Sequence, residues 1–231
     1  MYNGKKILAF VPARKGSKRV TLKNVQELDG KPLFMHSVEV AQKSKYIDSI
    51  LVSTDSREIK TSSVDVGCID GDLRPDDLSG DRARIVDAII YEIESNNIDI
   101  DVVVLLQPTY PFRTVEMLDT AIEKYFEYGE ESLITVTEVS ENPVFFRQIS
   151  QDMSLKKILK DSSDVRSQDF DKYYRIVGNI YINNYHTLTS DAVLNENKYP
   201  YIIDRAYCLD IDTYFDLEEA RARVERDKLC Q

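Results

Sequence analysis

Thirteen residues, Pro12 to Asn24, carry Arg14, Lys15, Lys18, Arg19 and Lys23 and no acidic side chain, in a chain whose net charge is -10. Such a local reversal is what an anion site needs: Gly16 lets backbone approach a phosphate, Ser17 adds a hydroxyl, and the Lys and Arg heads supply charge. A solvated basic loop has the same composition, and short Gly and Lys motifs recur by chance. The spacing is not that of a Walker P-loop. Near the other end of the chain, Asp210 and Asp212 stand two apart at the end of Tyr207 to Ile211, a run that reads as a strand. On a strand both would project from one face and converge on one cation, and hard oxygen ligands beside a polyphosphate suit Mg²⁺. The competing role is helix capping, with Asp212 or Thr213 at the start of a helix from Tyr214 and Asp216 completing a capping box.

Elements able to hold these groups in place follow from the apolar pattern. Ile7 to Val11, Ile50 to Ser53, Val102 to Leu106 and Leu133 to Thr137 read as strands, separated by helical patterns at Pro32 to Lys43, Arg82 to Glu94 and Val115 to Tyr128. Pro32 suits a first helical turn and Thr114 an N-cap. This is the rhythm of an α/β fold with a Rossmann-like, mostly parallel sheet. The basic loop leaves the carboxyl end of the first strand, where open α/β sheets bind ligands. Glu138 to Tyr174 breaks the rhythm with a polar stretch containing Pro143-Val144-Phe145-Phe146 and Asp161-Ser162-Ser163-Asp164, and reads as an excursion at about 138–175 from a single domain of residues 1–231. The pattern resumes at Gly178 to Ile182, continues through Tyr207 to Ile211 and closes with a helix from Tyr214 to Lys228.

Composition narrows the function classes. At 231 residues and 42% hydrophobic content the chain can bury a sizeable core. One basic loop on an acidic chain argues against duplex nucleic acid, which needs an extended basic face. No stretch approaches 18 apolar residues and Met1 to Lys6 shows no signal-peptide pattern, so a cytoplasmic, membrane-free protein is expected. Cys68, Cys208 and Cys230 are far apart, as befits free thiols. His36 and His186 support neither a His-based triad nor a zinc site.

Taken together, Ala13-Arg14-Lys15-Gly16-Ser17-Lys18, Leu22-Lys23-Asn24, Gly30-Lys31-Pro32-Leu33, Val52-Ser53-Thr54-Asp55, Arg74-Pro75-Asp76-Asp77-Leu78, Leu105 to Thr114 and Leu209-Asp210-Ile211-Asp212-Thr213 follow an order similar to that of the acylneuraminate cytidylyltransferases. The resemblance implies a nucleotidyltransferase that moves CMP from CTP to a nine-carbon 2-keto sugar acid, a nonulosonic acid, with release of pyrophosphate. It implies that Ala13, Arg14, Gly16, Ser17 and Lys23 bind the nucleotide, that Arg14, Lys23 and Asp212 are catalytic, and that Asp210 and Asp212 hold Mg²⁺. Asn24 and Arg74 match positions that read cytosine; Gln107 and Arg175 match positions at the acceptor. Arg113 is left open between holding phosphate or carboxylate and pairing with Glu116. In the family the excursion pairs with its twin in a homodimer and roofs the partner's sugar site. Two departures concern the acceptor: relatives acting on N-acetylneuraminate commonly read R-P-N-G-A-I-Y where this chain has Arg175 to Tyr181 as RIVGNIY, and a basic residue after Pro143 is replaced by Phe145. These leave legionaminate, pseudaminate, deaminated neuraminate or another nonulosonate as acceptors. Two other readings stay open: a CMP-Kdo synthetase acting on an eight-carbon acid, and a catalytically silent nucleotide-binding protein of the same fold.

Overall fold

The computed structural model describes residues 1–159 and 171–229. Along the chain run β1 (Ile7–Pro12), β2 (Glu27–Leu28), β3 (Lys31–Pro32), α1 (Leu33–Lys43), β4 (Ser49–Ser53), α2 (Arg57–Asp65), α3 (Asp76–Ser79), α4 (Ile85–Ser95), β5 (Val102–Leu105), α5 (Val115–Glu127), β6 (Ser132–Glu138), β7 (Arg147–Ile149), β8 (Leu155–Lys157), β9 (Tyr174–Asn184), β10 (Tyr199–Ile202) and α6 (Tyr214–Leu229). Six strands form the central sheet in the order β10-β6-β9-β5-β1-β4. β1 pairs parallel with β4 and β5, and β10 parallel with β6, while β9 runs antiparallel between β5 and β6. The expected α/β sheet is therefore present, with one reversed strand in its middle.

β1 is buried on both faces because alternate residues serve two cores. Ile7, Ala9 and Val11 pack with α1 and α5 through Phe34, Val38, Leu118 and Ile122. Leu8 and Phe10 pack on the opposite side with Ala88, Ile89 and Ile93 of α4. Helices covering both faces make a continuous apolar run the natural sequence of such a strand. Thr114 caps α5 as expected, its Oγ1 accepting from Met117 N at 3.1 Å. Pro32 stands one residue before the first turn of α1 rather than in it.

Three elements differ from the sequence expectations. Tyr207 to Ile211 is not a strand: a short 3₁₀ turn at Arg205–Tyr207 leads into irregular chain. Its apolar residues are buried for another reason, since Ile211 joins Val20, Leu28, Leu33, Leu217 and Ala220 in a third cluster away from the sheet. The helix α2 carries too few apolar residues to stand out by periodicity, and the edge strand β10 is only four residues long with a proline inside it. Between β6 and β9 the chain makes a short turn at Pro143–Phe145 and the antiparallel β7–β8 pair, held in register from Arg147 to Ile149. Asp161 to Asp164 lie outside the described residues, as does Cys230; Cys68 and Cys208 are free and buried. Among the described residues no helix is long and apolar enough to cross a membrane.

Candidate active site

At the carboxyl ends of β1, β4 and β5 the structure opens a cleft of about 470 Å³ lined by Arg14, Gly16, Ser17, Lys18, Arg19, Lys23, Asn24, Arg74 and Gln107 among others. Backbone bonds hold its floor in place. Ala13 N–H donates to Ser53 O at 2.8 Å and Lys15 N–H to Asp55 Oδ1 at 2.5 Å, which ties the start of the basic loop to the end of β4. Ala13 is thus wholly buried behind the cleft and its N–H is taken. A Cβ built on Gly16 meets nothing within 4 Å, so the loop backbone stands open beside the cleft.

The far end of the loop is fixed by packing. Val20 and Ile211 are both fully buried in the third cluster, which presses the loop against the segment carrying the two aspartates. Leu22 takes φ 51°, a left-handed conformation uncommon for a side chain with a Cβ, and turns the chain into the short 3₁₀ turn Lys23–Val25. Lys23 Nζ then donates to Ile211 O at 2.9 Å and to Asp212 Oδ1 at 3.1 Å, and Arg19 reaches Asp212 Oδ2 at 3.1 Å. Both alternatives weighed for this stretch are thereby separated. Capping of α6 falls to Thr213 and Asp216, whose Oδ2 accepts from Thr213 N at 2.7 Å and Asp212 N at 3.0 Å. The Asp212 carboxylate itself is spent on the cations.

Asp210 and Asp212 do not converge by sharing a strand face, because there is no strand. They are neighbours nonetheless: Asp212 is among the charges that raise the Asp210 pKa, after desolvation. Asp210 Oδ2 accepts from Tyr110 Oη at 3.0 Å and the Thr109 side chain also favours the ionised carboxylate, while Oδ1 is buried with no hydrogen bond of normal geometry. A buried carboxylate oxygen without a donor is costly unless something positive meets it. Among the described residues no group of three or more His, Cys, Asp or Glu could hold a metal, so an ion here would take its remaining ligands from phosphate and water.

At the other side of the cleft, Asn24 is buried and its Nδ2 donates to Arg14 O at 2.8 Å, so the amide also pins the loop. Arg74 is buried too, with Nε on Ser53 Oγ at 2.8 Å and Nη2 on Ser53 O at 2.5 Å; Nη1 is the nitrogen without a protein partner among the described residues. Arg14 Nη2 meets Asp81 Oδ1 at 3.0 Å and Nη1 meets Ser79 O at 3.1 Å; Lys18 pairs with Asp81 as well, at 2.5 Å. Asp81, which the sequence motifs did not single out, thus occupies the basic loop as an anion would. Its signal was available only as an acidic residue in the loop before α4.

Gln107 lines the cleft and also a second cavity of about 300 Å³ formed with Arg84, Ile85, Tyr181, Val193, Leu194 and Asn195. Gly178 is what makes room for it, since a Cβ there would stand 2.6 Å from Gln107 Oε1. Arg113 settles neither of its two expected roles. It is buried, donating to Asn179 Oδ1 at 2.7 Å, Ser37 Oγ at 3.0 Å and Gln107 O at 3.1 Å, a clamp between β9 and the loop after β5. The relocated amide Asn179 is therefore consumed internally, and its Nδ2 donates to Tyr207 O at 3.0 Å. Arg175, exposed on β9 opposite Thr137, lines neither cavity. His36 Nε2 bonds Leu28 O at 2.9 Å and His186 lies 3.3 Å from Asp101, both remote from the cleft.

A family model described as cytidylyltransferase matches residues 8–225. A CMP-N,N'-diacetyllegionaminic acid synthase from Legionella pneumophila subsp. pneumophila is 33% identical over 217 residues, 91% of this chain and 93% of that protein. An N-acylneuraminate cytidylyltransferase from Streptococcus agalactiae is 30% identical over 214 residues, which are 91% of this chain; the chain spans 51% of that longer protein. The structure of a CMP:2-keto-3-deoxy-manno-octonic acid synthetase complexed with CTP superposes with a TM-score of 0.72 at 17% identity, covering 96% of this chain and 99% of that one. At that identity the likeness concerns the fold.

Proposed function

Because the chain belongs to the cytidylyltransferase family, nucleotidyltransferases that use CTP, we propose that it transfers CMP from CTP to a nonulosonic, sialic-acid-like sugar acid with release of pyrophosphate. The observation that carries this reading is Lys23, held 3.1 Å from Asp212 at the edge of a basic cleft on the sheet's carboxyl edge. The acceptor's anomeric hydroxyl attacks the α-phosphorus, the new O–P bond forms as the α–β anhydride breaks, and the hydroxyl proton is released. Such transfer asks the protein for in-line positioning and for neutralisation of oxygen charge. Arg14 and Lys23, with Gly16 and Ser17 beside them, supply this for the triphosphate. Asn24 and Arg74 face the cytosine. Gln107, shared by both cavities, places the acceptor in the smaller one, whose wall of Tyr181, Val193 and Leu194 suits an apolar substituent on the sugar.

Asp210 and Asp212 are the residues that would hold Mg²⁺, and the partnerless Asp210 Oδ1 is the feature that fits it. A bound Mg²⁺ would polarise the α-phosphate and lower the pKa of the attacking hydroxyl. A homodimer completes the reading. Ile149, Leu155 and Ile158 on and beside the β7–β8 pair are at least 60% exposed, the kind of apolar patch that marks an interaction site, and Arg175 at the base of this excursion lines neither of the two cavities above.

Pyrophosphate release from CTP, measured against legionaminate, pseudaminate, N-acetylneuraminate, deaminated neuraminate and Kdo, tests the proposal. Turnover with a nonulosonate and little with Kdo is expected. Turnover with Kdo alone, or with none of the acids, overturns it.

A further inference from the structure

Glu92 sits on the buried side of α4 with no solvent exposure, between Ile89 and Ile93 that pack against the sheet. Its partners are few. Oε1 accepts from Ser53 Oγ at 2.6 Å, and Oε2 is buried with no hydrogen bond at all. A leucine would fill the same volume without removing a carboxylate from water. The carboxylate does, however, have one consequence at the cleft. Ser53 owns a single hydroxyl proton; with that proton given to Glu92, the oxygen must turn a lone pair to Arg74 Nε, 2.8 Å away. The same Ser53 holds Arg74 Nη2 through its carbonyl at 2.5 Å. Burial pushes the Glu92 carboxyl above its usual range, while the Ser53 hydrogen bond and then the Arg74 charge favour its ionised form.

We propose that Glu92 is a positioning residue for base recognition: through the Ser53 hydroxyl it fixes the rotation of Arg74, and so sets the preference for cytosine. Cytosine presents acceptors at its ring N3 and its carbonyl, whereas uracil carries N3–H, a donor that a guanidinium cannot meet. A guanidinium locked in one plane discriminates between them; one free to swivel does so less. The inference rests on Arg74 acting as the base reader.

The experiment is titration calorimetry of CTP and of UTP, each with Mg²⁺, into the full chain and into Glu92→Leu, Glu92→Gln, Arg74→Ala and the double variant Arg74→Ala/Glu92→Leu, with melting curves alongside. Glu92→Leu is expected to weaken CTP about 10-fold, equivalent to ~1.4 kcal/mol, and UTP less than about 3-fold, while melting no lower than the parent. Glu92→Gln keeps an acceptor for Ser53 and should hold CTP within about 3-fold. The double variant should bind CTP no more weakly than Arg74→Ala, because Glu92 acts through Arg74. An unchanged CTP to UTP ratio in Glu92→Leu, or a double variant weaker by the full Glu92→Leu factor, overturns the proposal while leaving Arg74 as reader. If Arg74→Ala itself leaves the ratio unchanged, the base-reading assignment falls and this inference with it.

Discussion

At the Lys23 end of the basic loop the cation's side chain is 15% exposed, bonded to Ile211 O and Asp212, over a floor of fully buried Val20 and Ile211. At the Arg14 end the guanidinium meets Asp81 and the Ser79 carbonyl, and Lys18, 82% exposed, shares the same carboxylate. One end is therefore set before any ligand arrives. The other is held by one carbonyl and by surface charge pairs, and such pairs are individually weak and exchange readily for a stronger anion. A single loop thus combines a fixed point, suited to charge that develops in the transition state, with an adaptable flank suited to ground-state binding of a polyphosphate.

The contrast breaks first at Lys23. Lys23→Ala should lower kcat on the order of 10²-fold or more, as for loss of a preorganised electrostatic contact, whereas Arg14→Ala should act more through the KM for CTP. Steady-state kinetics of the two variants, with melting temperatures, decides this. Equal kcat losses at both positions would erase the distinction between the ends, and near-normal turnover in both would return the loop to a solvated surface.

The second test concerns the carboxylates behind the fixed end. Burial, and then Asp212, raise the Asp210 pKa above its ordinary value. A carboxylate with a raised folded-state pKa favours the fold while protonated, and that contribution is lost as pH rises through the raised value. Without metal, the melting temperature of Asp210→Asn should therefore gain on that of the parent as pH rises through this acid-side window, whatever the other carboxylates contribute to both. In the presence of CTP, Mg²⁺ should stabilise the parent at neutral pH but not Asp210→Asn, and the variant should lose about 10²-fold in kcat. A parent whose melting in the presence of CTP ignores Mg²⁺ at any pH refutes the metal assignment by a readout independent of turnover.

Much of this was legible beforehand. The strands β1, β4, β5 and β6 stand out because each is a continuous apolar run, and the basic loop because its charge opposes that of the chain. What failed did so for physical reasons. Tyr207 to Ile211 reads as a strand because it is largely apolar, yet Cys208 and Ile211 are buried by the main core and the third cluster, not by pairing in a sheet. Arg113 and Asn179 look like ligands for a substrate, but 66 positions apart they bond each other, a contact no local pattern reveals. Asp81 and Glu92 escaped notice because their meaning lies in partners at Arg14 and Ser53, brought near only by folding.

Asp81 gives the smallest and most specific test of the adaptable flank. Its pKa is lowered by hydrogen bonds from Lys18 and then Arg14, so at neutral pH it stands as an anion between the two cations that a triphosphate would claim. CTP must displace it, and whatever holds the pairs together opposes binding. Asp81→Asn keeps the shape and removes the charge, so the KM for CTP should fall by about three-fold, the scale of an exposed ion pair. The kcat and melting temperature should stay near those of the parent, since neither the fixed end nor the core is touched. The advantage should shrink as ionic strength rises, because salt screens the competing pair in the parent. A KM that rises instead would mean that Asp81 orders Arg14 for the nucleotide, and the two ends of the loop would then be preorganised alike.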